Sequence, residues 1–175
     1  MMYLWAVLIA MAVSGALFLA AVRYPSARIA ELPQAIASMR PIDAAALHTL
    51  TDPVEDDFLR TLLDAATLRQ VRRERIAATL AYMTSMFHNA GVLIRIAGFA
   101  SGDAAEAAAK LADRAIQTRI LSALAIAHLA AAYLWPSLIR PKENAFAAYA
   151  NLREVFAHYV YRTYPTMASR LTSAL

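Results

Sequence analysis

The first 22 residues contain no charged side chain. As a helix, an apolar run of that length covers roughly 30 Å, the thickness of a bilayer's hydrocarbon core. Tyr3 and Trp5 stand near one end and Arg23, Tyr24 and Arg28 at the other. These residue types settle at the membrane–water boundary. A cleaved signal peptide carries a basic stretch ahead of a shorter apolar run. No Lys or Arg precedes this one, so residues 1–22 read as a retained transmembrane anchor. Eight arginines lie between Arg23 and Arg75 and none before the run. The positive-inside tendency then puts the body on the cytoplasmic side, at the inner membrane if the source is bacterial.

The remainder reads as helix. Hydrophobic residues make up 60% of the 175 positions, alanine is abundant, and only four glycines occur. An all-β chain needs far more turn glycine than that. No cysteine is present, which excludes disulfides, thiolate metal sites and cysteine nucleophiles. The net charge of +4 suits a neighbour of anionic lipid at least as well as a nucleic-acid binder.

Pro25, Pro33, Pro41 and Pro53 prevent a long helix over residues 23–52. That stretch reads as a membrane-proximal connector with one short helix between Asp43 and Leu50. "TDPVEDD" is the clearest local signal: Asp52 as N-cap, Pro53 at the first helical position, Glu55 closing a capping box. From there the apolar spacing (Leu59, Leu62, Ala66, Ile76, Leu80, Met83, Phe87, Ala90, Ile94) predicts one unbroken helix to Gly98. After "GFASGD", Asp103 and Glu106 open a second helix that runs to Pro136, forming an antiparallel hairpin with the first. A third, amphipathic helix covers about 143–164, with Leu152, Val155, Phe156, Tyr159 and Val160 on one face. The expected organisation is all-α: an anchor at 1–22, a connector at 23–52, a helical bundle at 53–164 and a flexible tail at 165–175.

Two more stretches lack charge, residues 76–94 and 120–139. If both crossed a bilayer, His88 and His128 would reach nearly equal depth, as two axial haem ligands must. That three-span alternative is a haem or pigment protein with an electron-transfer role. Helix geometry weighs against it. A tight fold-back at Ser101 sets residue i beside about residue 201 − i, so His88 faces the Asp113 region and His128 the Arg73 region. The uncharged windows then lie beside charged neighbours, and a flat hydrocarbon slab does not accept that offset. Thr84, Ser85, His88 and Asn89 also fall near the middle of the first window, where polar groups cost most. His88 and Asn89 are therefore expected to bond sideways to the neighbouring helix, and His128 to be a packed core histidine.

Arg69, Arg72, Arg73 and Arg75 form a basic cluster which, with Arg23 and Arg28, is the candidate membrane-interface group. No aromatic platform or recognition-helix motif accompanies it, so nucleic acid is not an expected partner. Tyr149, Tyr161 and Tyr164 on the aromatic last helix are the candidate protein-interaction surface, alongside the long second helix. No phosphate loop, dinucleotide fingerprint, zinc-protease or nucleophile-elbow motif occurs, and the four histidines share no ligand spacing. The expectation is a non-enzymatic scaffold or accessory subunit with no cofactor, metal or small-molecule substrate. Its partners are the bilayer and another protein.

Overall fold

Three aspartates divide the first half of the body into separate helices. The computed structural model describes residues 32–100, 104–134 and 144–163. In it, Asp43 Oδ1 accepts from the N–H groups of Ala45 and Ala46 at 2.9 and 3.0 Å. Asp52 Oδ1 accepts from Val54 N–H at 2.9 Å and Asp64 Oδ1 from Thr67 N–H at 2.7 Å. Each carboxylate satisfies donors that a helix start leaves without an intrahelical partner.

The helices are α1 Leu32–Ala37, α2 Ala44–Thr51, α3 Pro53–Leu62, α4 Ala65–Gly98, α5 Ala105–Leu134 and α6 Asn144–Thr163. No strand occurs among the described residues. The expected anchor at 1–22, Arg23, Arg28, Asp103, Tyr164 and the tail at 165–175 lie outside the described residues.

The single helix expected from Pro53 to Gly98 is two helices. Leu63 and Asp64 both leave the α region, with ψ of 144° and 162°. The cause is Asp64, whose side chain offers Thr67 the bond that the helical backbone would otherwise provide. The capping box at Asp52 is also only half formed. Asp52 N–H bonds Thr49 O at 3.4 Å, while Glu55 turns away to Arg75 Nη2 at 3.2 Å.

α4 and α5 fold back on one another as an antiparallel hairpin, with the Arg119 guanidinium 4.6 Å from the Phe87 ring centre. α6 returns along α5, where Thr118 Oγ1 donates to Ala148 O across the helices at 3.2 Å. The core draws Met83, Met86, Leu93 and Ile96 from α4, Leu111 and Leu129 from α5, and Leu152, Phe156, Tyr159 and Val160 from α6. The uncharged window 76–94 thus supplies much of the bundle's centre. Ala35, Met39 and Leu47 join the same core, so the second half of the proline-containing connector is an integral part of the bundle.

Among the described residues, one helix is long and apolar enough to cross a membrane, over Ala105–Tyr133. Only 28% of its most apolar window is buried.

Candidate interaction site

The polar pair at the middle of α4 holds the chain that leads from α1 to α2. Asn89 Oδ1 accepts from Arg40 N–H at 2.9 Å, and its Nδ2 donates to Arg40 O at 2.8 Å. The same Nδ2 donates to Tyr149 Oη at 3.0 Å. His88 Nε2 lies 2.9 Å from Ser38 O. The expectation that this pair bonds toward the Asp113 region is therefore corrected: its partners are 49 and 50 residues upstream and on α6. The expected register also shifts, since Arg119 rather than the Asp113 region lies beside this part of α4, and the connector packs on α4 at this point as well.

This arrangement revises two further expectations. Tyr149 is not a surface residue: it is 3% exposed, tied to Asn89, and burial pushes its hydroxyl pKa up. Tyr161 is 73% exposed. His128 is exposed rather than packed in the core, while His88 is half-buried with its Nε2 engaged by Ser38. The structure does not bring the two imidazoles to a common site. Among the described residues, no group of three or more His, Asp or Glu is placed to hold a metal ion.

The basic cluster divides in two. Arg72 makes a bidentate pair with Asp56, Nε to Oδ1 at 3.0 Å and Nη2 to Oδ2 at 2.7 Å. Arg75 Nη2 donates to Thr49 O at 2.9 Å and Leu50 O at 3.2 Å, and pairs with Glu55. Those carbonyls end α2, where a helix leaves acceptors open and favours positive charge. Arg72 and Arg75 therefore fasten α2 and α3 to α4 and are not free for lipid. Arg69 and Arg73 remain exposed.

The Arg72 bond, together with Arg72, Arg60 and Arg75 charges, holds the Asp56 pKa below the ordinary carboxylate range. Its contribution is complete above that ordinary value and is lost as pH falls through the lowered folded value. Asp56→Asn is expected to cost about 1 kcal/mol at pH 7, a figure reduced because the pair is partly solvated. Below about pH 4 the deficit of the variant relative to the unmodified chain should shrink. Denaturant titrations at pH 7 and pH 3 check this, and a deficit that does not change with pH contradicts it.

With Glu55 and Asp56 turned to those arginines, α3 shows its apolar side to solvent. Val54, Phe58 and Leu62 are 73%, 60% and 63% exposed. Spaced four residues apart, they form one stripe along the helix. A second stripe occurs on α5, where Ile116, Ile120 and Leu124 are 47%, 44% and 60% exposed. Before Arg119 the outer side of α5 is mixed, with Glu106, Lys110, Asp113 and Gln117 exposed beside Ile116. After Arg119 it is apolar but for His128. Sequence periodicity points to amphipathic helices here, and nothing in it tells that these apolar residues face outward.

Where the second stripe begins, two arginines converge on Gly91. Arg95 Nε donates to Gly91 O at 3.2 Å. The Arg119 guanidinium lies over Phe87 and so close to Gly91 that a Cβ there would meet its Nη1 at 3.4 Å. Both side chains are half-buried. Desolvation, and then the Arg95 charge, lower the Arg119 pKa from its ordinary value. No acidic partner of Arg119 occurs among the described residues.

No protein-family model, curated protein or solved structure matches the chain.

Proposed function

We propose that this chain is a membrane-tethered helical interaction module, a scaffold or accessory subunit without catalytic activity of its own. Residues 1–22 are its anchor and the bundle its cytoplasmic body. The observation that carries the reading is the inversion of α3: Asp56 and Glu55 are held by Arg72 and Arg75, and Val54, Phe58 and Leu62 face out. Three large apolar side chains on one exposed helical face are costly to leave in water and match the anchors of a helix that docks into a groove. The occupant is a partner protein with an apolar groove that takes these three side chains.

A photo-crosslinking residue at position 58, introduced into the full chain in its native host, should give one discrete adduct. The same residue at position 109, on the outer side of α5, should give none. Leu62→Asp should remove the adduct formed from position 54. No adduct from 58, or equal labelling from 109, overturns the docking surface. Deletion of residues 1–28 should release the body from the membrane fraction, and a truncated body that stays with the membrane overturns the anchor.

A further inference from the structure

α6 covers the turn end of the hairpin and leaves the far end of α5 bare. Thr118 meets Ala148 and Asn89 meets Tyr149 at one level, and from there α6 runs back toward the turn. Under that cover residues 89–93 of α4 are all buried. Beyond Ser122 the cover ends: of residues 123–133 on α5, Leu129 and Ala132 alone are buried. No Asp, Glu, Lys or Arg occurs from Ile120 to Tyr133. Ile120 and Leu124 are exposed there, and Ala127 and Ala131 are half-exposed. With 3.6 residues per turn, these four side chains fall within about 60° of one another on the outer side. Their spacing of four, three and four residues reads the same from either end, with the two large side chains first and the two small ones after.

We propose that this face binds the same face of a second copy, the two α5 helices lying antiparallel about a two-fold axis between residues 125 and 126. Residue i then lies beside residue 251 − i of the second copy, so Ile120 faces Ala131 and Leu124 faces Ala127. Each bulky side chain meets a small one, as interlocking helical layers require, and the symmetry makes every pair twice. The exposed charges of α5, from Glu106 to Arg114, stay outside the seam. A parallel pairing sets leucine on leucine and alanine on alanine, splaying one end and leaving the other loose. Lipid makes no demand on the order of side-chain sizes, and an unrelated protein has no use for a face that reads alike in both directions. A seam of four residues per copy falls short of the roughly 1,000 Å² that a free-standing interface clears. Two copies tethered in one bilayer meet at a raised local concentration, which lowers that demand. In this respect alone the inference rests on the membrane-tethered reading.

The chain has no cysteine, so disulfide trapping in the full chain reads the seam directly. In cells of its host, a double variant carrying Ile120→Cys and Ala131→Cys should form a linked dimer on mild oxidation. Each single variant should form none. In this register a residue at 120 stands about 16 Å along the axis from its own counterpart, whereas a disulfide needs Cα atoms within about 7 Å. The same separation forbids a link within one chain. Adding Leu124→Asp, at an exposed position, should abolish the dimer while circular dichroism shows the helices intact. If that variant unfolds, the comparison of single and double variants decides alone. No link in the double variant overturns the pairing, and links in the single variants overturn its antiparallel register. A linked product with another protein's mass, or position 120 closed to maleimide without any link, gives the face to a different occupant and overturns the inference. Fractionation of the same cells reads the tether separately. Linked chain in the soluble fraction overturns the tether and keeps the pairing, and unlinked chain in the membrane fraction does the reverse.

Discussion

Asn89→Leu is expected to destabilise the bundle by about 3 kcal/mol, close to the upper end for a single substitution that leaves no cavity. Leucine nearly matches asparagine in size, so the loss is polar rather than steric. Three bonds disappear together: Arg40 N–H loses its acceptor, and Arg40 O and Tyr149 Oη lose their donor. They are not equal in cost. Arg40 is exposed, so water recovers part of what its backbone loses. The Tyr149 hydroxyl is buried, and a buried polar group left unpaired costs about 1–3 kcal/mol. Adding Tyr149→Phe to Asn89→Leu should therefore restore stability, since it removes the orphaned group as well. Guanidinium titrations of the three variants, followed by far-UV circular dichroism, read both effects. A loss below about 1 kcal/mol in Asn89→Leu means the bridge is not what holds residues 38–40 and α6 to α4.

What is legible in the sequence, and what it hides, follows from the range of each interaction. α6 is readable because a helix with one buried face repeats its apolar residues every 3.6 positions. Leu152, Phe156, Tyr159 and Val160 are buried as that spacing requires, while Arg153 and Tyr161 are exposed. The cap at Asp52 is readable because it reaches only to Val54. The same periodicity misleads at residues 59–66, where Leu59, Leu62 and Ala66 carry the pattern straight across a break. Asp64 with Thr67 three residues on is the available signal, but it lacks the Glu or Gln of a capping box. Which side of α3 faces inward is hidden. Apolar residues turn inward by default, and here the bidentate Arg72–Asp56 pair and the Arg75–Glu55 pair reverse that choice. The upstream partners of His88 and Asn89 lie on an irregular segment, beyond the reach of any periodic pattern. Arg95 and Arg119 stand in the sequence only as flanks of uncharged windows, and the fold brings them together at Gly91.

Phe156→Ala should cost about 3–5 kcal/mol, more than the loss of the Asn89 bridge. Phe156 is 1% exposed at the middle of the buried face of α6, one turn from Leu152 on one side and Val160 on the other. Removing its ring takes away apolar contact and opens a cavity that two helical neighbours cannot collapse to fill. α6 packs chiefly on α5, and its first turns are fixed by Tyr149 to Asn89 and by Thr118 to Ala148. Those polar ties stand N-terminal to Phe156, whose own contribution to the C-terminal half of α6 is apolar packing with Leu152 and Val160 in the core. In the variant, amide exchange should therefore rise first over residues 156–163 and only later over 147–152, a local opening that precedes global unfolding. Asn89→Leu reverses that order, because it frees the start of α6 while Phe156 still holds the middle. The two substitutions act on one helix through different ends, and their combined loss should exceed the sum of the separate ones. Hydrogen exchange of both single variants distinguishes these patterns. A uniform rise along α6 in Phe156→Ala means that α6 detaches as one unit and that the Asn89–Tyr149 tie does not hold its first turns independently.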